Sequence, residues 1–455
     1  MIKTYGQAKK YVNSLMRQAN IPVKEKDKFI SSSKYIEIIG NPQLKYPTIH
    51  IAGTSGKGST CYLISKILQM AGYKTGLHMS PHLYSIRERA QINNNKMSKY
   101  MFAKLINEIR PKLDKLNKKL KHKISFIQFM QGLAFLYFER EKVDIAVIET
   151  GLGGKYDGTN VVKPLISIIT PIDFDHTYIL GKKLSEIAKH KAGIIKKGQL
   201  ATISAKQRSS AKIVLERYAK LQKVKLFKEE KDFNVQIKKL TSRGVLFDFF
   251  DNDKKITNIF CSLVGSHQAH NAALAIKTVL ELKKNGFKIK NSHIKKALSD
   301  SIHYGRFEIT KCNNRIIILD GAHNQHKFTA LIDTLTKIYP KENFICVFSC
   351  KKNKEIQKVA KILDQKVNLV IATQFSHPTN IGPHSPQDTT IIAKSLIKAK
   401  FKGKILEIPS IKKALLYVLT KLDKKNKILI TGSFHTVSEV QNILNRFRNN
   451  KKIKP

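Results

Sequence analysis

A glycine-rich segment early in the chain has the residue types of a phosphate-binding loop. Residues 53–60, with the sequence GTSGKGST, lie between a β-branched run and a helical pattern. The glycines let backbone N–H groups surround a phosphate, Lys57 can reach the β- and γ-phosphates, and Ser59 or Thr60 can face Mg²⁺. Gly58 separates the lysine from the hydroxyl residues, which departs from the G-x-x-x-x-G-K-[ST] pattern. The segment nevertheless predicts a nucleotide site.

Further polar residues follow other predicted strands. Glu149 ends an apolar run, and residues 173–176 (DFDH) follow the strand predicted over 165–170. Because the carboxyl ends of parallel strands share one edge of a sheet, these side chains should emerge beside Lys57, where a carboxylate can hold a nucleotide-bound Mg²⁺. Taken alone, Glu149 could equally be an N-cap partner or a salt-bridge residue, and Lys191 reads as a solvated helix lysine.

The second half of the chain carries weaker signals of the same kind. Asn271 lies in the first turn of a predicted helix, Arg306 follows a glycine, and residues 320–324 (DGAHN) end a strand. Each is weak alone. Polar residues at strand ends and at a domain junction are nonetheless what a nucleotide cleft between two domains requires.

The elements that must position these residues alternate between short apolar runs and helical patterns. Runs at 49–53, 143–150 and 165–170 alternate with helical patterns at 57–70, 127–141 and 184–195, which predicts a parallel sheet flanked by helices. Residues 235–250 read as antiparallel strands on an edge, followed by a helix over 267–284. After Ser301 a second βα series begins, which predicts a second doubly wound domain with its boundary near residues 300–304.

Composition narrows the class of protein. The 455 residues are 42% hydrophobic and 25% charged, as in ordinary soluble globular chains. The 83 Lys and Arg exceed the 33 Asp and Glu by 50. This excess is mostly lysine spread along the chain, which a lysine-biased genome would produce, but it keeps open a surface for a polyanion. Five scattered cysteines without C-x-x-C pairs, and no apolar signal or spanning segment, predict a cytoplasmic protein.

The ordered motifs resemble those of the folylpolyglutamate synthase and dihydrofolate synthase family, within the Mur ligase superfamily of ATP-dependent amide-bond-forming enzymes. The motifs are G-T-S-G-K-G-S, S-P-H-L, E-R (Glu88-Arg89), G-L-G-G-x-x-D-x-T-N, D-H-T with K-A-G-I, H-Q-x-x-N-A-A, G-R-F-E and D-G-A-H-N. The resemblance implies a P-loop NTPase-like ATP-binding domain over residues 1–300. It implies a smaller Rossmann-like α/β domain over residues 301–455.

The resemblance also implies roles for individual residues. Those expected to bind the nucleotide are Thr54, Ser55, Gly56, Lys57, Gly58, Ser59, Thr60, Asn271, Arg306 and Asp320. Those expected to bind Mg²⁺ are Ser59, Ser80, Glu149, His176 and Lys191, the last as a carbamylated lysine that would hold a second ion. Lys57, Lys191 and His323 are expected to be catalytic, and His82, Phe126 and Asp157 to contact the substrate.

The implied reaction joins L-glutamate to a carboxylate through an acyl phosphate. ATP with two Mg²⁺ ions and K⁺ are the implied cofactors, and the acceptor is a reduced folate and 7,8-dihydropteroate. The chain departs from the family at Ser55, Gln128, Gly158 and Gln325, where relatives usually show Asn, Glu, Ala and Pro. Gln128 and Gly158 border the expected pterin pocket, so activity on folates alone is an alternative.

A different class of protein also stays open: the charge of +50 would suit a basic P-loop NTPase that binds RNA. Because no arginine-rich block or RNA-binding motif accompanies the charge, no specific nucleic-acid partner is expected. No membrane partner is expected either, and the family resemblance implies a monomer.

Overall fold

The computed structural model describes residues 2–16, 24–252, 254–352, 354–376, 385–423 and 425–449. Its first sheet has eight strands, in the spatial order β4-β3-β2-β5-β1-β6-β7-β8. The strands are β1 (Thr48–Ala52), β2 (Thr75–His78), β3 (Gln91–Ile92), β4 (Asn95–Lys96), β5 (Ile145–Glu149), β6 (Ile166–Ile169), β7 (Ala201–Ser204) and β8 (Leu226–Lys228). The strands from β2 to β8 in this order are parallel, and β3 and β4 form an antiparallel extension.

The three central strands explain why the polar motifs converge. β1 lies between β5 and β6, so that Ile49 faces Val147 on one side and Ile166 on the other. Every residue of these strands is buried, in agreement with the continuous apolar runs of a sheet covered on both faces. The prediction that the segments after β1, β5 and β6 share one edge is therefore confirmed.

The described residues of this part of the chain form ten α-helices. They are α1 (Tyr5–Ser14), α2 (Glu25–Ile38), α3 (Lys57–Met70), α4 (Lys99–Lys119), α5 (Phe126–Arg140), α6 (Thr177–Leu180), α7 (Leu184–Ala192), α8 (Ser209–Gln222), α9 (Ser266–Lys284) and α10 (Asn291–Ser299). Helix α5 is buried on nearly all sides, and Ser125 caps it by accepting a hydrogen bond from the Gln128 backbone N–H. It packs in one core with α1, α2 and α4.

The position expected for the antiparallel strands was wrong. The segment forms its own three-stranded sheet, β9 (Phe233–Thr241), β10 (Gly244–Asp251) and β11 (Lys254–Cys261), with β10 in the middle. Antiparallel pairing itself is confirmed. The buried residues Phe247 and Phe249 pack in the core that includes α9, so the sheet covers a helix instead of extending β8.

The second part of the chain is built on a six-stranded sheet in the order β12-β13-β17-β14-β15-β16. Its strands are β12 (Glu308–Cys312), β13 (Arg315–Leu319), β14 (Phe344–Phe348), β15 (Val367–Gln374), β16 (Lys404–Ser410) and β17 (Lys427–Thr431). Its helices are α11 (Gln325–Ile338), α12 (Ile356–Leu363), α13 (Thr389–Lys398), α14 (Ile411–Thr420) and α15 (Phe434–Asn449). Among the strands described here, β12 alone is antiparallel to its neighbour, so the doubly wound α/β prediction is confirmed.

We call the elements up to α10 the N-terminal unit and those from β12 onward the C-terminal unit. A cleft of about 1880 Å³ lies between them, lined by residues of both, including Asp157 and Asp175 of the first and His323 and Lys351 of the second. Among the described residues, no helix combines the length and apolar character needed to cross a membrane.

Candidate active site

The glycine-rich loop connects β1 to α3 as the sequence predicts. Gly56 is the residue before α3 and has a φ of +85°, a conformation that glycine adopts without strain. The Thr54 backbone N–H donates to the Pro171 carbonyl at 2.9 Å, and the Thr54 hydroxyl donates to the Asp173 carbonyl at 3.0 Å. These bonds fasten the loop to the segment after β6. The helix N-terminus that follows favours a phosphate there.

Two lysines meet at one backbone carbonyl beneath this loop. Lys57 Nζ donates to the Gly53 carbonyl at 3.1 Å, and Lys191 Nζ donates to the same oxygen at 2.7 Å. Lys191 is only 3% exposed. Burial, and secondarily the charge of Lys57, hold the pKa of Lys191 well below its usual value of 10.5. The structure thus brings together two of the residues predicted to be catalytic, and Lys191 reaches a carbonyl 138 residues earlier in the chain.

Glu149 lies at the end of β5, one strand from the loop. Its carboxylate is 4% exposed and accepts a hydrogen bond from the Ser80 backbone N–H at 3.0 Å. Burial raises its pKa from 4.5, while Lys57 and the Ser80 amide oppose that rise. A methyl group added at Gly58 would lie 3.7 Å from Glu149 Oε2, so carboxylate and loop are close neighbours.

The segment after β6 makes contacts between the two units. Asp175 accepts a hydrogen bond from Asn324 Nδ2 at 2.9 Å and lies 3.7 Å from Lys354 Nζ. His176, with a φ of +50°, is partly exposed in the cleft, and burial lowers its pKa to about 4 although the adjacent Asp175 opposes this. A neutral imidazole is the form that binds a metal ion.

Asn271 and Arg306 both lie over the loop. A methyl group at Gly56 would stand 2.4 Å from Asn271 Oδ1, and one at Gly58 would stand 3.7 Å from Arg306 Nη2. The Arg306 guanidinium lies over the ring of Phe434 with 4.4 Å to the centroid. Asn271 of the N-terminal unit and Arg306 of the connection to the C-terminal unit therefore both lie close to the phosphate-binding segment.

The D-G-A-H-N motif that follows β13 in the C-terminal unit makes hydrogen bonds to nearby backbone groups. Asp320 accepts hydrogen bonds from the backbone N–H groups of Phe307 and Ala322, each at 2.8 Å. His323 Nδ1 lies 3.0 Å from the Gly321 carbonyl, and its Nε2 lies 3.1 Å from Lys327 Nζ. Burial, followed by the charge of Lys327, holds the pKa of His323 well below 6.5. His323 is thus a neutral residue at the cleft.

The three residues predicted to contact the substrate line or border the same cleft. Phe126 and Asp157 line it, and His82 accepts a hydrogen bond at Nδ1 from Arg89 Nε at 3.0 Å. Asp157 is 8% exposed and accepts bonds from Leu152, Thr159 and Gln131. Its carboxylate is therefore held in place by the chain itself, although burial raises its pKa from 3.8.

The residues expected to hold Mg²⁺ fit such an ion by their donor chemistry. Ser59, Ser80 and Glu149 supply hard oxygen donors near the loop, and Mg²⁺ is commonly held by one or two carboxylates together with substrate phosphates. Within the described ranges, no three His, Cys, Asp or Glu side chains are grouped closely enough to hold a metal. Thr60, offered as an alternative to Ser59, is fully buried in α3, and its hydroxyl has no partner in the described structure.

Several residues of the site escaped sequence analysis. His303, His326 and Lys327 lie near the loop: a methyl group at Gly58 would be 3.6 Å from His303 Cε1, and His326 Nδ1 is 3.1 Å from Ser55 Oγ. Lys351 and Lys354 line the cleft from the segment after β14. Nothing distinguishes these lysines in so lysine-rich a sequence. His326 and Lys327 lie two and three residues after the end of the D-G-A-H-N motif, and that proximity could have signalled them.

The P-loop unit and the second α/β unit that share this cleft each match a family model of the Mur ligases, which are ATP-dependent amide-bond-forming enzymes. Residues 51–279 match the Mur ligase middle domain, and residues 305–434 match the Mur ligase glutamate ligase domain. The chain belongs to the dihydrofolate synthase/folylpolyglutamate synthase family of these ligases.

Individual relatives give the extent of this similarity. The chain is 31% identical to the dihydrofolate synthase/folylpolyglutamate synthase of Bacillus subtilis over 89% of its length and 91% of the relative. It is 32% identical to the folylpolyglutamate synthase of Lacticaseibacillus casei over 67% and 71% of the two chains. The folylpolyglutamate synthase of Mycobacterium tuberculosis, solved with ADP and AMPPCP, superimposes with a TM-score of 0.88 at 25% identity over 97% and 99%.

Proposed function

We propose that this chain uses ATP to join the amino group of L-glutamate to the carboxylate of a reduced folate and to that of 7,8-dihydropteroate. The observation that carries the proposal is the convergence of Glu149, Arg306 and His303 on Gly58 of the phosphate-binding loop, where the two units meet. The adjoining cleft of about 1880 Å³ is large enough for a nucleotide together with a drug-sized acceptor.

In the proposed mechanism the acceptor carboxylate attacks the γ-phosphorus of ATP, and ADP leaves. The resulting acyl phosphate is attacked by the amino group of glutamate, phosphate leaves, and an amide remains. Lys57 faces the β- and γ-phosphates and offsets the charge that develops on the transferred group. His323, held neutral between Gly321 and Lys327, orients phosphate and its neighbours at the cleft. Orientation of two substrates in one cleft supplies the remaining advantage.

Mg²⁺ bound with ATP would supply further neutralisation of phosphate charge. The residues proposed to hold it are Ser59, Ser80, Glu149 and His176. The residues proposed to bind the nucleotide are Thr54, Ser55, Gly56, Asn271 and Arg306, and Asp320 supports the turn beside them. K⁺ is proposed as an additional cofactor on the family resemblance alone.

Lys191 is proposed to be carbamylated and to bind a second Mg²⁺ through the added carboxylate. A buried lysine whose pKa is lowered has the neutral amine that reacts with CO₂. Two protonated ammonium groups on the single Gly53 carbonyl would repel one another, and this geometry independently favours a neutral Lys191.

The acceptor is proposed to lie against Phe126, with His82 and Asp157 nearby. Both acceptors are proposed because the Bacillus subtilis relative, which is similar to most of this chain, is named for both activities. Gln128 donates to Lys28 O and Ser32 Oγ and accepts from Ser125, so its amide is satisfied within the protein. Its amide therefore needs no hydrogen bond from the acceptor.

The test is ATP-dependent incorporation of labelled L-glutamate, run in parallel with 7,8-dihydropteroate and with tetrahydrofolate in Mg²⁺ and K⁺. Incorporation into both is expected. Incorporation into tetrahydrofolate alone would restrict the function to chain extension, and incorporation into neither would contradict the proposal.

An RNA-binding NTPase is the competing function that the charge of +50 favours. RNA that stimulates ATP hydrolysis at moderate salt would support it, whereas RNA binding that disappears at moderate salt without stimulation would exclude it. We propose instead that the protein is cytoplasmic, has no specific nucleic-acid partner and is a monomer. Size-exclusion chromatography with light scattering checks the monomeric state.

The two units are proposed to be separate domains, residues 1–300 and 301–455. Support comes from the short connection between α10, which ends at Ser299, and β12, which begins at Glu308. Limited proteolysis should cut between these elements before it degrades either sheet.

A further inference from the structure

We propose that His50 is a positioning residue that acts through the Thr159 hydroxyl and holds the Asp157 carboxylate in place for the acceptor. This inference rests on the function proposed above, which puts the acceptor near Asp157. His50 lies on β1, whereas Asp157 caps the short 3₁₀ helix Gly158–Val161 that contains Thr159. His50 is fully buried and does not itself line the cleft.

His50 faces the opposite side of the sheet from its apolar neighbours on β1. Ile49 and Ile51 pack in the core that includes α3 and α9. Successive side chains of a strand point to opposite faces, and Ile148, which is in register with His50, packs in the core around α5. Burial is the main cause that holds the pKa of His50 well below 6.5. The imidazole is therefore a neutral polar group among apolar side chains.

Two hydrogen bonds connect this imidazole to Asp157. His50 Nε2 lies 2.9 Å from Thr159 Oγ1, and the Thr159 hydroxyl donates to Asp157 Oδ1 at 2.5 Å. Because a hydroxyl has only one proton to donate and the carboxylate accepts it, Oγ1 accepts from the Nε2–H of His50. This direction assigns the Nε2–H tautomer to His50, and its Nδ1 has no partner in the described structure.

Asp157 is oriented by donors on both of its oxygens. Oδ1 also accepts from the Thr159 backbone N–H at 3.0 Å and from Gln131 Nε2 at 3.3 Å, and Oδ2 accepts from the Leu152 backbone N–H at 2.8 Å. The bond from the Thr159 hydroxyl is the shortest of these. A hydroxyl that accepts one hydrogen bond while it donates another is the stronger donor, and its proton points in one direction. His50 therefore strengthens and directs the shortest bond to the carboxylate.

Asp157 is the end of this hydrogen-bond chain that meets the cleft. It is 8% exposed, lines the cleft, and precedes Gly158, which borders the expected pterin pocket. A carboxylate that accepts from N–H groups of a ligand is effective only when its oxygens are held in the right direction. Because β1 continues from His50 into the phosphate-binding loop, a positioning role must be distinguished from a general disturbance of that strand.

The test compares His50→Leu with His50→Gln. Leucine is similar in size to histidine but has no donor, whereas the glutamine amide can place an N–H near the position of Nε2. We expect KM for both acceptors to rise about three- to tenfold in His50→Leu, the factor that one neutral hydrogen bond supplies. KM for ATP should change less than about twofold, and His50→Gln should restore the acceptor KM to within about twofold of wild type. Equal effects of the two variants, or equal rises in KM for ATP and acceptor, would overturn the proposal.

Thr159→Val tests the middle of the chain and keeps the test available where His50→Leu does not fold. It removes the hydroxyl at nearly constant shape and should raise the acceptor KM as His50→Leu does. Because both substitutions interrupt the same chain, the double variant should exceed the larger single effect by less than about twofold. Effects that multiply in the double variant would overturn the proposal.

Ser167→Ala is the matched control on the neighbouring strand. Ser167 is fully buried on β6 and in register with His50, but its hydroxyl donates to the Ile194 carbonyl at 2.8 Å. Removal of this hydroxyl should leave the acceptor KM within about twofold of wild type. A rise as large as that of Thr159→Val would show that any buried hydroxyl of this sheet has the same effect, and would overturn the proposal.

Direct binding separates this inference from the proposed function. Tetrahydrofolate and 7,8-dihydropteroate are titrated separately into AMPPCP-loaded wild-type, His50→Leu and His50→Gln protein, with heat as the signal. Weaker binding of both acceptors to His50→Leu alone supports the positioning role even if turnover is absent. Equal binding to the three proteins would overturn that role, whereas wild-type protein that binds the acceptors but incorporates no glutamate contradicts only the proposed function.

Discussion

At the scale of single residues, the site is distinguished by several lysines that lie close to the phosphate-binding loop and to the cleft. Lys57 and Lys191 donate to one carbonyl, and Lys327 contacts His323 at 3.1 Å. Burial and the charge of Arg306 lower the pKa of Lys327 to about 7. Such a concentration of positive charge with few carboxylates suits a site for a polyphosphate.

Lys191→Gln should abolish glutamate incorporation while nucleotide binding remains within about threefold of wild type. The substitution removes the amine that would carry CO₂ but keeps a polar group near the Gly53 carbonyl. Protein equilibrated with ¹³C-bicarbonate should show a carbamate carbon resonance that the variant lacks. A variant with full turnover, or wild-type protein without that resonance, would exclude the carbamate.

Lys277 carries a prediction about stability, away from the cleft. It is 1% exposed and donates to both oxygens of Asp251, at 3.0 and 2.9 Å, and to Glu281 at 2.9 Å. Because Lys277→Met leaves two carboxylates without their shared cation, it should cost about 3–5 kcal/mol of unfolding free energy. Lys284→Met removes an exposed partner of the same Glu281 and should cost less than about 1 kcal/mol. Urea denaturation of both variants measures their unfolding free energies. Equal losses of unfolding free energy would contradict the role of Lys277 as the shared partner of Asp251 and Glu281.

The positions of site residues were predictable where they follow from the geometry of a parallel sheet. Glu149 and residues 173–176 were found because strand ends of a parallel sheet share an edge. Arg89 was seen within a motif but not as a cleft residue, since only the fold places it over Phe126. Lys351 and Lys354 had no signal, because one lysine resembles another until burial and partners are known.

At the scale of elements, the loop between β1 and α3 requires glycine at position 56 for two reasons, the positive φ and the close approach of the Asn271 side chain. Gly56→Ala would force alanine into a φ of +85° and bring its methyl group 2.4 Å from Asn271 Oδ1. Gly72→Ala provides a matched control, because Gly72 has a φ of +93° but no atom within 4 Å of the added methyl. We expect at least about tenfold weaker ATP binding for Gly56→Ala and unchanged binding for Gly72→Ala. Similar ATP affinities of the two variants in titration calorimetry would contradict the close packing of Asn271 on the loop.

The elements themselves were largely readable from apolar periodicity. The runs at 49–53, 143–150 and 165–170 became β1, β5 and β6 within two residues at each end. The location of β9, β10 and β11 was not predictable, because alternation reveals a half-buried strand but not which surface covers it. Helices α1, α2 and α4 were not assigned, since their apolar positions are diluted among lysines and only pack against α5 in the folded chain.

At the scale of the whole molecule, buried histidines make folding depend on pH. His78 is 2% exposed on β2, and burial with the charge of Arg89 lowers its pKa to about 4. Unfolded histidine titrates near 6.5, so the unfolded chain binds more protons below that pH. The stability that His78 contributes is therefore complete above about pH 6.5 and is lost as the pH falls towards 4.

The wild-type protein should lose about 2 kcal/mol more than His78→Gln between pH 6.5 and pH 5. The comparison within one pair of proteins cancels the opposing effect of Glu149 and Asp157, whose pKa values burial raises. Unfolding free energies from denaturant titrations at the two pH values give the difference. Parallel pH profiles would show that His78 is not held neutral by the fold.

In the proposed reaction the two units together activate a carboxylate as an acyl phosphate before the amide forms. The most direct measurement uses acceptor labelled with ¹⁸O in its reacting carboxylate, with ATP and L-glutamate, and mass analysis of the released phosphate. Attack of the carboxylate on the γ-phosphorus predicts that label passes from the acceptor into phosphate as the amide accumulates. Amide formation with unlabelled phosphate would contradict this account of the cleft.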